Sequence, residues 1–399
     1  MPERRKIFLE IIKFAPKIKK NAKFATYSAF FGLILQKSKI GVKFMKNSKC
    51  EIPVFFAVND NYAPYLGVAL DSMLDNASRN YFYKVYVLVT DLSEVHKNKL
   101  FEVQKKYCDF ASLDFVDVKA QLEKTKDRLH IRDYYSLETY YRFFIASLFP
   151  EYDKVIYLDC DIVVKGDIAQ MYNSPLGKNL IGAAIEEVVF VEDVFRNYSE
   201  KCLGVPADDY IGAGILVINT KAFREEKVEE KFVDLLSKFK FYVAQDQDYL
   251  NVICKNRIYY LDLGWNKTAF KNMDFNDDNL KIIHYKMSWK PWLNDGVEYE
   301  NDFWKYAEKN PFFEEIMEVK KSYTDQERLR DSEGGVRLRE AAVRDAENPD
   351  NYWNTVKKSF LLYRIFSVLT AFASFMLKFP PLALIKNFYR KSLYESREN

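Results

Sequence analysis

Asp159 and Asp161 stand two residues apart at the end of the apolar, β-branched run Val155-Ile156-Tyr157-Leu158, and Ile162-Val163-Val164 follow them. Carboxylates at this spacing can reach one hard divalent cation, and a cation held there can hold a diphosphate. A solvated turn or a helix cap offers the same pair, so the spacing alone does not define a site. The apolar run sharpens it, because a buried strand would carry both carboxylates to the edge of a sheet where the chain turns.

The surrounding chain supplies such a sheet. Pro53 to Val58, Lys84 to Thr90, Leu113 to Val118, Ile181 to Ile185 and Ile215 to Ile218 read as short buried strands. Pro64 to Asp75, Ser93 to Tyr107 and Leu137 to Leu148 read as helices between them. The β-α-β alternation predicts an α/β fold with a mainly parallel sheet covered on both faces, and ligands beyond the carboxyl ends of its strands. The Asp pair falls at such an end.

With 399 residues, 48% of them hydrophobic, the chain can bury a large core, and wholesale disorder is excluded. Its net charge of +3 hides an uneven distribution. Residues 1–50 hold 13 Lys+Arg against 2 acids and residues 353–399 hold 8 against 2, leaving 39 basic and 53 acidic side chains between. Bulky apolar residues interleave with the charges at both ends, as in Lys6-Ile7-Phe8-Leu9-Glu10-Ile11-Ile12-Lys13-Phe14 and Phe388-Tyr389-Arg390-Lys391. That mixture suits basic amphipathic helices on an anionic membrane surface; nucleic acid would accept the charge but leave the apolar half unexplained. Ser359 to Leu377 is long enough to span a bilayer, yet Arg364 lies inside it and Pro380-Pro381 follow, which favours an interfacial or shallowly inserted helix. No secretory signal is read at the N-terminus, and the five cysteines form no CxxC, so a reduced, cytoplasmic protein without disulfides or a zinc site is expected. The charged stretch Thr324 to Asn348, with Gly334-Gly335, reads as a linker or exposed helix. The predicted organisation is an extension over 1–50, a catalytic domain over 51–320, a charged linker or helix over 321–352 and a membrane-associating segment over 353–399.

Four further segments accompany the Asp pair: Ala57-Val58-Asn59-Asp60-Asn61-Tyr62, Tyr210 to Asn219 with its glycines, Gln245-Asp246-Gln247-Asp248-Tyr249-Leu250-Asn251, and His284-Tyr285 followed by Lys290-Pro291-Trp292. In this order and spacing, over roughly residues 52–295, the chain resembles the retaining nucleotide-sugar glycosyltransferases of family 8. These include bacterial lipopolysaccharide galactosyl- and glucosyltransferases and glycogenin.

The resemblance implies a GT-A-type, Rossmann-like sheet, a UDP-glucose or UDP-galactose donor, and a glycan or glycolipid acceptor. Asp159, Asp161 and His284 would be the metal ligands, an O,O,N set suited to Mn²⁺ with Mg²⁺ as the alternative. Lys290 would meet the diphosphate, Arg142 the sugar and phosphate, and Ala57, Asn59, Asn61 and Tyr62 the uracil. Cys160 and Ala213 belong to the same donor-binding segments. Asn59 replaces an acidic residue common there, but its amide oxygen can accept from the uracil N–H. Asp246 and Gln247 would lie beneath the sugar. Retention requires either double displacement or front-face attack, and Gln247 is a poor nucleophile; its carbonyl suits stabilising charge at C1, with Asp246 on sugar hydroxyls. Glu186 stands where relatives often have Asp and Gly212 where they often have Asn, both expected at the sugar or acceptor pocket. Met287 replaces a glycine whose backbone approaches phosphate. Nucleotidyl transfer has no Walker-type glycine loop behind it. A membrane-associated scaffold with a decayed site is the non-enzymatic alternative.

Overall fold

The computed structural model describes residues 49–123, 129, 137–270 and 275–378. The basic N-terminal segment thus lies almost wholly outside the described residues, as do Pro380-Pro381 and Phe388 to Lys391.

Ten strands are described. They are β1 (Cys50–Ala57), β2 (Tyr81–Val89), β3 (Ala111–Asp117), β4 (Val155–Leu158), β5 (Ile162–Val164), β6 (Ile181–Ala183), β7 (Ile215–Ile218), β8 (Ile258–Tyr260), β9 (Lys267–Thr268) and β10 (Ile282–His284). Seven of them form the main sheet in the order β3-β2-β1-β4-β7-β6-β8. β1 runs parallel to β4, β2 to β3, and β6 to β8. Only β7 is reversed against both neighbours, β4 and β6. The sheet is therefore mixed and mainly parallel, as the alternation predicts.

Continuous apolar strands follow from burial on both faces. Alternate side chains serve opposite cores: Val54, Phe56, Ile156 and Leu158 join one, while Phe55, Ala57, Val155 and Tyr157 join the other. Helix α1 (Ala63–Asp75) is buried through Leu74 and packs in the first core. Helix α2 (Glu94–Lys105) is capped by Ser93, whose hydroxyl accepts from the His96 N–H, and it buries only Leu100 and Val103. Helix α3 (Asp246–Cys254) buries Tyr249, Leu250 and Cys254, which join the second core.

The expected helix over Leu137–Leu148 forms as a 3₁₀ segment, Leu137–Phe144, continued by one α-turn, Ile145–Leu148. A second sheet orders the remaining strands as β5-β10-β9. No sequence pattern announces it, because strands of two or three residues carry too little periodicity to separate from loop.

Beyond residue 320 the charged stretch is a helix, α4 (Asp325–Glu347), opened by a Thr324/Glu327 capping box. Its buried face consists of Gly334, Leu338, Ala341 and Ala342. Three of those four are small, so they leave little hydrophobic signature. Helix α5 (Tyr352–Lys378) follows, and Phe360 to Phe375 are exposed on every side.

Candidate active site

β4 ends at Leu158 inside the sheet, and the chain turns through Asp159-Cys160-Asp161 before entering β5 in the second sheet. Two antiparallel pairings fix the pair. β7 lies beside β4, and the Asp159 N–H donates to the Gly214 carbonyl at 2.8 Å. β10 lies beside β5 with His284 opposite Ile162, and the Tyr285 N–H donates to the Asp161 carbonyl at 2.9 Å. An imidazole from a distant part of the chain is thereby held against the Asp pair.

His284 Nε2 is 3.2 Å from Asp161 Oδ1 and 3.7 Å from Asp159 Oδ2, and one ligand atom from each residue lies within 4.8 Å of the others. His284 Nδ1 is 2.9 Å from Asn266 Oδ1. An Nδ1–H donated to Asn266 turns the Nε2 lone pair toward two carboxylates, a set of acceptors suited to a cation. Gly214 makes the room: a Cβ there would collide with His284 Cε1 and lie 2.5 Å from Asp159 Oδ2. The donor set, the Asn266 anchor behind the imidazole and this cleared space fit a divalent metal.

Charges surround the cluster. Lys290 Nζ lies 2.5 Å from Asp161 Oδ2 and 2.7 Å from the Tyr285 carbonyl. Burial works to raise the Asp161 carboxyl, but Lys290 and His284 outweigh it and hold it well below the ordinary carboxylate range. Burial works to lower Lys290, but Asp161 outweighs it and holds the ammonium above its ordinary value. Arg142 is buried and fully engaged: it donates to the Thr139 and Ala213 carbonyls and pairs with Asp159 at 3.0 Å and Asp246 at 3.2 Å. The resemblance assigns Arg142 to the sugar and phosphate; it lines the cavity and also holds two carboxylates. Burial pushes the Asp246 carboxyl up to about 7 even though Arg142 pulls the other way.

Gln247 Oε1 accepts from the Ala213 N–H at 2.9 Å, so its carbonyl is fixed with one lone pair still available. Asn59 Oδ1 accepts from the Tyr62 N–H at 3.2 Å, and its amide donates to Glu138 at 3.1 Å. The oxygen expected to meet a base thus also ties its own loop.

Ala57, Asn59, Asn61, Tyr62, Arg142, Asp159, Cys160, Asp161, Glu186, Ala213, Asp246, Gln247, His284, Met287 and Lys290 all line one cavity of about 800 Å³. Gly212 does not line it. A Cβ at Gly212 would collide with Asn266 Nδ2 and lie 2.9 Å from Glu186 Oε2, so Asn266 fills the space a side chain at 212 would take. This corrects the expectation of a pocket position at 212. Glu186 does line the cavity, with both carboxylate oxygens on Lys286 Nζ at 2.9 and 2.8 Å. Met287 has φ of 51°, the left-handed conformation that favours glycine. Sequence reasoning missed Asn266, Lys286 and Glu138. Lys286, next to His284-Tyr285, was within reach of a motif argument; Asn266 and Glu138 carry no local signal.

The sheet and this cavity define a GT-A-type glycosyltransferase fold. The bifunctional glycosyltransferase WbbM superposes with a TM-score of 0.60 at 30% identity, over 69% of this chain and 52% of that longer one. The galactosyltransferase LgtC, in complex with donor and acceptor sugar analogues, gives 0.51 at 26% identity over 68% of this chain and 96% of its own. Among curated relatives, general stress protein A of Bacillus subtilis is 26% identical over 62% of this chain and 90% of its length. The lipopolysaccharide 1,2-glucosyltransferase of Escherichia coli is 26% identical over 70% of this chain and 86% of its length. The model of glycosyl transferase family 8 matches residues 53–296, and the chain belongs to that family.

Proposed function

We propose that the chain is a retaining hexosyltransferase that takes glucose or galactose from a UDP-sugar and adds it to a lipopolysaccharide, capsular or other glycan acceptor. It works at the cytoplasmic face of the membrane, to which its basic and apolar ends attach it. The observation that carries the reading is the convergence of Asp159, Asp161 and His284 on one ligand position. Lipopolysaccharide glucosyl- and galactosyltransferases among the relatives support the hexose and the acceptor class.

Bound there, Mn²⁺, or Mg²⁺ in its place, supplies Lewis-acid charge for the departing diphosphate. Lys290 adds a point charge on the same side. Arg142 keeps the Asp159 and Asp246 carboxylates oriented, and Asp246 faces the sugar hydroxyls. The Gln247 carbonyl, pinned by Ala213, meets positive charge developing at C1. An acceptor hydroxyl attacks C1 on the face from which UDP departs; the C1–O bond to phosphate breaks, and the hydroxyl proton passes to the leaving phosphate oxygen.

Calorimetric titration with UDP and Mn²⁺ tests the assignment. Wild type is expected to bind UDP in a Mn²⁺-dependent way and to release UDP slowly from UDP-glucose or UDP-galactose. Asp159→Asn loses at least about a hundredfold in that affinity. Unchanged binding in Asp159→Asn would refute the ligand set.

A further inference from the structure

Glu186 and Lys286 follow strands of different sheets and meet in the cavity wall. Glu186 lies three residues beyond β6, where its N–H donates to the Tyr210 carbonyl at 2.8 Å. Lys286 lies two residues beyond β10, where its N–H donates to the His284 carbonyl at 3.1 Å. With both backbones anchored, the Lys286 ammonium meets both Glu186 oxygens, and the two side chains are only 13% and 6% exposed. A pair so enclosed is fixed in direction and little screened by salt. Gly212 leaves it room, since a Cβ there would stand 2.9 Å from Glu186 Oε2. The glutamate and the glycine singled out in the sequence thus belong to one arrangement.

The pair carries no net charge, and the rest of the wall offers an anion little else. Among the described residues, Arg142, Lys286 and Lys290 are the lysine and arginine side chains that line the cavity. Arg142 is paired with Asp159 and Asp246, and Lys290 with Asp161. His96 stands between Asp60 and Glu315, while Glu138 and, on α4, Asp331 add further carboxyl groups. A metal at His284 would serve the diphosphate. A carboxylate on the sugar would therefore face Glu186 with no free cation to answer it, and an unpaired charge is costly to desolvate. A hydroxyl fits better. Lys286 keeps one ammonium proton beyond the two given to Glu186, and Glu186 Oε2 keeps a lone pair, so a donor and an acceptor stand side by side. We infer that Glu186 and Lys286 set the charge of the sugar this cleft accepts: together they read hydroxyls of an uncharged hexose, and the Glu186 carboxylate rejects a hexuronate. The inference rests on the transferase reading above and specifies its sugar.

Shape alone would separate these sugars poorly. Glucose and glucuronate, like galactose and galacturonate, share a ring and differ at C6, where a hydroxymethyl group becomes a carboxylate. A fixed like charge rejects such a carboxylate, and a matching donor and acceptor reward the hydroxyl. Replacing Glu186 by Gln keeps the length of the side chain but removes its charge, which leaves the Lys286 ammonium for a sugar carboxylate to pair with. Replacing Lys286 as well takes that cation away. The charge preference therefore depends on the two residues in opposite senses, a pattern that loss of packing does not produce.

Affinity ratios measured on the full chain test this, in two arms that separate donor from acceptor. In the first, UDP-glucuronate and UDP-galacturonate are compared with UDP-glucose and UDP-galactose by calorimetric titration with Mn²⁺ present. In the second, methyl glucuronoside and methyl galacturonoside are compared with methyl glucoside and methyl galactoside by melting shift with UDP and Mn²⁺ present. Wild type is expected to favour the uncharged sugar. Glu186→Gln should move the ratio of acidic to uncharged affinity at least about tenfold toward the acid in one arm, and that arm identifies the sugar the pair faces. Lys286→Met should move the same ratio the other way, which guards against a folding defect in the first variant. Lys286→Met added to Glu186→Gln should abolish the gain. Ratios that stay put in both arms, a wild type that favours the acidic sugar, or a gain that survives the loss of Lys286 overturns the inference. Absence of Mn²⁺-dependent UDP binding in the same wild-type samples overturns the transferase reading beneath it, so the two failures are distinguishable.

Discussion

At the scale of single residues, Asn266 does most to decide whether His284 can be a ligand. It is fully buried, its oxygen faces His284 Nδ1, and its own Nδ2 has no hydrogen-bond partner among the described residues. A buried amide donor left without a partner is costly, on the order of 1–3 kcal/mol, and the site retains it beside Gly212, where another side chain would not fit. Fixing one imidazole nitrogen is what presents the other to a metal. Asn266→Ala is therefore expected to weaken Mn²⁺ binding roughly 10- to 100-fold, read directly from the free-ion signal by electron paramagnetic resonance without donor or acceptor. Equal affinity in wild type and variant would reduce Asn266 to a packing residue. Met287 illustrates the opposite sort of departure. Its left-handed backbone keeps the turn that a glycine would make, at a strain of about 1 kcal/mol, and so preserves the approach of Lys290 to Asp161.

At the scale of elements, helix α3 is tied to its neighbours through one buried carboxylate. Asp248 accepts from Tyr198 at 2.9 Å, Tyr210 at 2.6 Å and the Ala244 N–H at 2.9 Å. Burial raises its carboxyl to about 6, while those three donors work against the rise. A carboxyl raised on folding favours the protonated native state. Its contribution is complete below the unfolded value of 3.8 and is lost as pH climbs through about 6. Ionising a carboxyl displaced that far costs the native state about 3 kcal/mol. Melting curves between pH 4 and 7 should show wild type losing stability relative to Asp248→Asn as pH rises, and parallel curves would contradict the assignment. The legibility of elements follows the same division between local and distant forces. β1, β2, β4 and β7 were readable because each carries several consecutive apolar residues buried in the sheet. β5, β9 and β10 were not, because their pairing depends on partners far apart in the chain, as with His284 opposite Ile162. The Asp pair, the glutamine segment and His284 were legible as a set through the family resemblance. The packing of α4 over the cleft was hidden by its Gly and Ala contacts.

At the scale of the whole molecule, the proposed membrane attachment would engage the two ends of the chain by different physics, and the difference is measurable. Helix α5 is about 40 Å long from its 27 residues, and Phe360, Leu362, Phe366, Val368 and Phe372 are each at least 60% exposed on different faces. Three of its hydroxyls are bonded within the helix: Ser359 donates to the Thr355 carbonyl at 2.9 Å, Ser367 to Tyr363 at 2.8 Å and Thr370 to Phe366 at 3.0 Å. An apolar surface on every side, with the hydroxyls of Ser359, Ser367 and Thr370 already bonded, suits immersion better than lying half-wet at an interface. Arg364 lies one and a half turns beyond Ser359, and side chains on a helix lean toward its N-terminus, so its guanidinium can reach headgroups near Lys357 and Lys358. Residues 1–50 instead offer 13 basic side chains, whose attraction to anionic lipid is screened by salt. Flotation with anionic vesicles is expected to keep the full chain bound at 1 M salt, where the Debye length is about 3 Å. Removing residues 353–399 should leave binding that survives at low salt and is lost at 1 M, with Mn²⁺-dependent UDP binding intact. Release of the full chain by salt would show that α5 stays outside the hydrocarbon.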